Sequence, residues 1–198
     1  QVYSANPIDS TTLKLTRISP DGDENFPGNV TAKVLFKLTD DNAIDIKYSA
    51  TTDQKTVINM TNHSYFNLDG DPSKSNSDYL LTIDADAYTP VDSTFMTTGE
   101  IVSVEGTDMD FRTPTAVGAR IDNDFEQLKN GKGYDHNWVL NTKGDVTRPC
   151  TTLESPSTGI VLDVYTNEPG IQIYAGNFLD GTLTGKKGIT YNQRASVC

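Results

Sequence analysis

At 198 residues the chain is long enough to bury one sizeable core and short for two, so a single domain over residues 1–198 is expected. Sixteen Lys plus Arg against 27 Asp plus Glu leave a net charge of -11, which repels nucleic acid and anionic membranes and favours a neutral small molecule or a protein as partner. No stretch approaches the ~20 consecutive apolar residues of a membrane helix, and Gln1 to Pro7 lacks the basic start and apolar core of a signal peptide, so any export signal is expected to have been removed already.

Taken in chain order, the apolar pattern repeats every two residues. A first strand is predicted at residues 13–18, followed by the connection "SPDGDENFPG" (19–28), whose acids around Gly22 read as an acidic surface turn and not, without further ligands, as a calcium loop. In "VTAKVLFKL" the residues Val30, Ala32, Val34, Phe36 and Leu38 share one face, opposite Thr31, Lys33 and Lys37. In "AIDIKYSAT" the set Ile44, Ile46, Tyr48 and Ala50 alternates with Asp45, Lys47 and Ser49. With the turn-forming "TDDN" between them, residues 30–51 read as a β-hairpin half buried against a core.

Further strands are predicted at 56–61, 79–84, 137–141, 160–166 and 171–175, with "NLDGDPSKSNSD" (67–78) as a connection. One helix is expected over "NDFEQLKNG" (123–131), with Asn123 as its cap, Glu126 three residues on and Gly131 as its stop. The fold class is therefore mainly β, an antiparallel β-sandwich with long loops and at most one or two short helices.

Cys150 and Cys198 are the only thiols, a pair that permits one disulfide. The sequons at Asn29, Asn59 and Asn62, in a Ser/Thr-rich and Lys-poor chain, favour a secreted glycoprotein over the cytoplasmic alternative. Glycan is expected at Asn29 or Asn59 and not at Asn62, where it would sit on the histidine motif described below. "GTLTGKKG" (181–188) has three residues between Gly181 and Gly185 where a phosphate loop needs four, and Lys187 where it needs Ser or Thr, so it reads as a turn. No G-x-G-x-x-G follows a strand, and His63 and His136 are not spaced as a zinc pair; neither cofactor nor metal is expected.

Three segments gather neutral hydrogen-bonding groups beside aromatics: "TNHSYFNL" (61–68), "GYDHNWVL" (133–140) and "NEPGIQIYAGNFLDG" (167–181). Such mixtures bind neutral sugars, with carboxylate, amide and imidazole forks on the hydroxyls and an aromatic plate on the apolar ring face. The same residues also serve plainer ends. His63, Asn62 and Asn67 suit the backbone groups of a tight turn, Asp135 and His136 suit a structural pair, and Trp138 suits a core position. Residue types and spacing reach a carbohydrate-sized polar site and no reaction.

"TNHSYFNL" resembles the signature of the galactose mutarotase (aldose 1-epimerase) family, and "SPDGDENFPG", "YTPVD" (88–92), "TGEI" (98–101), "VEGTDMDFR" (104–112), "GYDHNWVL" and "EPGIQIYAGNFLDG" follow in that family's order and approximate spacing. The resemblance runs from Leu13 to Cys198 and implies a β-supersandwich of the galactose mutarotase type, of which this chain would be an incomplete, central part. It implies interconversion of the α and β anomers of aldohexoses such as galactose and glucose, without cofactor or metal. His63 would be the general acid on the ring oxygen, since an imidazole that titrates near neutrality can give and retake a proton within one turnover. Ser64 and Tyr65 would shape the pocket, Asp135 would accept hydrogen bonds from sugar hydroxyls, and Gln172 would bind near the reacting end.

The family's base is a Glu two positions beyond the Cys that ends "RASVC", and its sugar-binding Arg and second His precede the segment seen here. Glu168, ahead of Pro169 at a strand end, does not stand in for that base. The expectation is a chain that works with a complementary chain or a second copy, whose strands would cover otherwise open sheet edges, or one that binds sugar without turning it over.

Overall fold

The computed structural model describes residues 2–198, and the chain divides into two compact units, Gln1–Asn62 and His63–Cys198. In the first unit β1 (Ser4–Pro7), β2 (Thr12–Ser19), β3 (Val30–Leu38) and β4 (Ile44–Thr52) form an antiparallel meander in that order. Val34 pairs with Leu15 and Tyr48, and Phe36 with Leu13 and Ile46, so the apolar residues of three strands share a face. The expected hairpin is present, yet of this face only Val34 is buried, while Leu38, Ile44 and Tyr48 stand exposed. Alternation fixed the register of these strands and not the depth of their cover.

The acidic connection is held by its own side chains. Asp23 accepts from Arg17 at 2.7 Å and Ser19 at 2.6 Å, and Asp21 accepts the Gly28 N–H at 2.6 Å. Gly28 has φ of 87° and lies so close to β4 that a Cβ would meet Thr52 Oγ1 at 2.8 Å. No cluster of His, Cys, Asp and Glu among the described residues could hold a metal ion. Residues 56–61 do not form the predicted strand: Val57 and Ile58 are exposed and unpaired. β-branched residues favour extension, but a strand needs a neighbour with free N–H and C=O groups.

The second unit contains β5 (Leu80–Ile83), β6 (Ala87–Thr89), β7 (Val102–Ser103), β8 (Thr115–Ala116), α1 (Glu126–Gly131), β9 (Asp135–Val139), β10 (Thr151–Glu154), β11 (Val161–Val164) and β12 (Gly170–Tyr174). Its strands build two antiparallel sheets, ordered β11-β10-β5-β8 and β12-β9-β6-β7. The core includes Leu81, Ile83, Met109, Phe111, Tyr134, Trp138 and Ile173. Trp138 is wholly buried, its Nε1–H donating to the Met109 carbonyl at 3.0 Å with Phe111 edge-on to its ring. Among the described residues no helix is long and apolar enough to cross a membrane.

α1 is shorter than predicted. Its cap is Phe125, not Asn123, whose amide instead donates to Asp108 Oδ1 at 2.9 Å. Gly131 is the last helical residue, and the stop is Lys132, left-handed at φ 53°, followed by a Gly133 N–H bond to the Leu128 carbonyl.

The helix ends the second sheet. β6 pairs with β9 only as far as Thr89 and Asn137. Beyond that point Gln127 takes both backbone groups of Val91, accepting its N–H at 2.8 Å and donating to its carbonyl at 3.0 Å. The Asp135 N–H donates to Nδ1 of His136 at 3.1 Å. His136 is buried edge-on to Tyr88, Phe95 and Trp138. On the other side the sheet continues past β12: Cys198 exchanges both backbone bonds with Tyr174 at 2.8 and 2.9 Å, and Val197 does the same with Phe66. Asn76, fully buried, donates to the carbonyls of Ala175 at 2.9 Å and Ser196 at 2.7 Å.

Asn76→Ala would leave two buried carbonyls unpaired and is expected to cost about 2–4 kcal/mol in chemical denaturation. Burial pushes His136 down to about 4 from an ordinary 6.5, so the fold holds it neutral where the unfolded chain would be protonated. That contribution is complete above pH ~6.5 and is lost as pH falls through ~4, a change on the order of 3 kcal/mol. Denaturation midpoints between pH 7 and 4 should show this slope, and His136→Met should flatten it.

Candidate active site

Hydrogen bonding between neighbouring strands aligns one row of side chains in the second unit. Tyr174 stands opposite Asp135 in the β12–β9 ladder and opposite Cys198 on its other side. Tyr65, one residue before the bridge between Phe66 and Val197, falls opposite Cys198. Antiparallel partners point to the same face, so Tyr65, Cys198, Tyr174 and Asp135 line one surface. Gln172 and Asn137, two residues along their strands, occupy the next row of that surface.

The predicted residues meet there. Gln172 Nε2–H donates to Asp135 Oδ1 at 2.8 Å, which fixes one carboxylate oxygen. His63 and Tyr65 stack with ring centroids 5.4 Å apart and planes 16° from parallel. Ser64 lies exposed between them. Asn67 fills the scaffold role open to it: its Nδ2–H donates to the carbonyls of Asp71 at 3.1 Å and Ala195 at 2.7 Å, and its Oδ1 accepts the Asp71 N–H at 3.1 Å. It thereby pins the turn after the histidine to the segment that leads into Cys198.

Electrostatics on this face centre on Asp135. Burial raises its carboxyl above the usual carboxylate range, against the Gln172 hydrogen bond and the charge of His63, which lower it. Burial and then the Asp135 charge push the Cys198 thiol up to about 11, so it stays protonated at neutral pH and is a poor nucleophile. Both cysteines are free, so the disulfide that the sequence permits is not made in this structure. Cys150 is buried beside β10, where its N–H bonds to the Val164 carbonyl, while Cys198 is tied to Tyr174. Each thiol is committed to a different sheet.

Two aromatic residues escaped the sequence reading. Tyr174 meets Tyr65 edge-on at 6.2 Å and stacks on Phe178 at 6.2 Å and 18°, and its hydroxyl accepts the Phe178 N–H at 2.9 Å. Period-two spacing from Gln172 was the available signal for Tyr174; Phe178 follows β12 in a turn and carried none. Tyr65 and Phe178 are each about half exposed, at 51% and 53%, so the surface is an open aromatic face with a carboxylate–amide pair beside it. It suits a small ligand with hydroxyls on its edge and C–H groups on its faces.

The aldose 1-epimerase family model matches residues 1–198. The human galactose mutarotase is 43% identical over 190 residues, covering 96% of this chain and 53% of that protein. The Escherichia coli (strain K12) aldose 1-epimerase is 45% identical over 164 residues, covering 83% of this chain and 47% of that protein. The crystal structure of galactose 1-epimerase from Lactobacillus acidophilus NCFM superposes with a TM-score of 0.85 at 30% identity, over 100% of this chain and 56% of that one. The chain thus spans about half the length of the curated relatives it matches. Its mainly β architecture is that of solved galactose epimerases, and by family model, sequence and fold the chain belongs to the aldose 1-epimerase family.

Proposed function

We propose that this chain supplies the acid side of an aldose 1-epimerase site that interconverts the α and β anomers of a free aldohexose such as galactose or glucose. The observation that carries the reading is the meeting of His63, Tyr65, Asp135 and Gln172 on one face, with the Gln172 amide holding one oxygen of Asp135 and leaving the other for a sugar hydroxyl.

In the proposed reaction His63 gives its proton to the ring oxygen while a base takes the proton of the anomeric hydroxyl, and the C1–O5 bond breaks to the open-chain aldehyde. Rotation about C1–C2 turns the other carbonyl face to the O5 hydroxyl. Closure returns both protons, so nothing is consumed. Tyr174 and Phe178 lie against the apolar C–H face of the sugar, and Ser64 and Tyr65 close its side. The register supports a source for the base. Continued two residues beyond Cys198, antiparallel pairing reaches the row of Gln172 and His63, where the family pattern calls for a Glu.

A second reading is sugar binding without turnover, for which the Asp135–Gln172 pair beside the aromatic face suffices. Either way the sugar is the partner, and only the first reading needs a base. For the secreted reading, Asn59 is the better glycan acceptor: it is exposed, whereas Asn29 donates its amide to Asp53 at 2.7 Å. Intact mass before and after deglycosylation checks this.

With the full-length protein, polarimetry of freshly dissolved α-D-galactose should show accelerated mutarotation that falls by about 10²–10⁴ in His63→Ala, the usual worth of a general acid. An undiminished rate in that variant would sink the assignment. Calorimetric titration with galactose should show at least about tenfold weaker binding in Asp135→Ala and a smaller loss in Gln172→Ala. Binding that survives alongside a wild-type rate no faster than buffer favours the second reading.

A further inference from the structure

A proton donor works only while its N–H bond points along the path of transfer, and His63 starts from a weak position for that. It is exposed and lies on a segment, residues 55–65, without regular strand pairing. Its ring is in contact with an aromatic neighbour. The imidazole lies nearly flat against Tyr65, 5.4 Å between centroids and 16° from parallel. Tyr65 in turn meets Tyr174 in a T-shaped contact, with ring centroids 6.2 Å apart and planes at 88°. Tyr174 is buried in β12 and fixed at both ends, its backbone by the paired bonds to Cys198 and its hydroxyl by the Phe178 N–H at 2.9 Å.

We propose that Tyr65 is a positioning residue for the acid: its ring, held in T-shaped contact with Tyr174, sets the plane of the His63 imidazole. The order of contacts runs from buried to exposed, from a strand residue to a half-exposed phenol to an exposed imidazole. The ring of Tyr65 sets this plane and its hydroxyl does not, which separates the brace from a hydrogen bond between Tyr65 and the sugar. The catalytic consequence rests on the mutarotase reading; the geometry does not.

Two measurements on the full-length protein test it. In carbon-13 spectra of labelled histidine, the His63 ring signal, identified by its loss in His63→Ala, should carry the ring-current shift of a stacked phenol. Tyr65→Ala should abolish that shift and lower kcat about tenfold with KM changed less than about threefold, the signature of lost orientation. Tyr65→Phe should restore the shift and most of the lost kcat. A His63 signal unmoved by Tyr65→Ala overturns the brace, and so does a Tyr65→Phe enzyme as slow as Tyr65→Ala, which would assign the effect to the hydroxyl. If the wild-type protein does not accelerate mutarotation, the epimerase reading fails and the ring-current shift alone decides the brace.

Discussion

The structure of the second unit turns on four backbone hydrogen bonds. Val197 exchanges two with Phe66 and Cys198 exchanges two with Tyr174, so residues 197–198 lie as a splint between a loop and a strand. Without them the histidine segment would have no neighbour and β12 would be a bare edge. With them Tyr65, Cys198, Tyr174 and Asp135 fall into register, and a surface suited to a sugar exists. The side chains of Asn67 and Asn76 reinforce the splint from the loop, through Ala195 and through Ser196 and Ala175. Amides serve well here because each supplies donors to carbonyls that no strand reaches.

The opposite end of the same sheet meets the same problem with different parts. Where β6 stops, Gln127 stands in for a strand by bonding both groups of Val91, and His136 takes the Asp135 N–H. Asp135 therefore has its backbone held by a buried neutral imidazole and its carboxylate held by Gln172. The two histidines differ in burial: the one in the core is kept uncharged and structural, and the one on the surface stays exposed.

Period-two alternation was enough to read the hairpin of β3 and β4, because one face of each is apolar throughout. It failed for β10, a central strand, because "TTLE" is mostly polar and its Thr151 and Leu153 are buried by neighbours the sequence does not name. It misled at 56–61, where extended propensity had no partner to pair with. Asn123 looked like a helix cap, but Asp108, fifteen residues away in the chain, claims its amide. His63, Asp135 and Gln172 were visible through motif order. Tyr174 and Phe178 were not, since an aromatic beside a strand end reads as core until its stacking is known.

The splint also has a history in time. Asn67 and the Ala195 carbonyl it holds are 128 residues apart in the chain, and Asn76 and Ser196 are 120 apart. Contacts of such span close late, and their loops are ordered before any bond returns the entropy. During synthesis the histidine segment leaves the ribosome well before its neighbour is made, and β12 emerges with one edge still open. For that interval Tyr65, Tyr174 and Phe178 present an unfinished aromatic face to other nascent chains. The aromatic face of the finished unit is thus, while the chain is being made, open to contact with other chains.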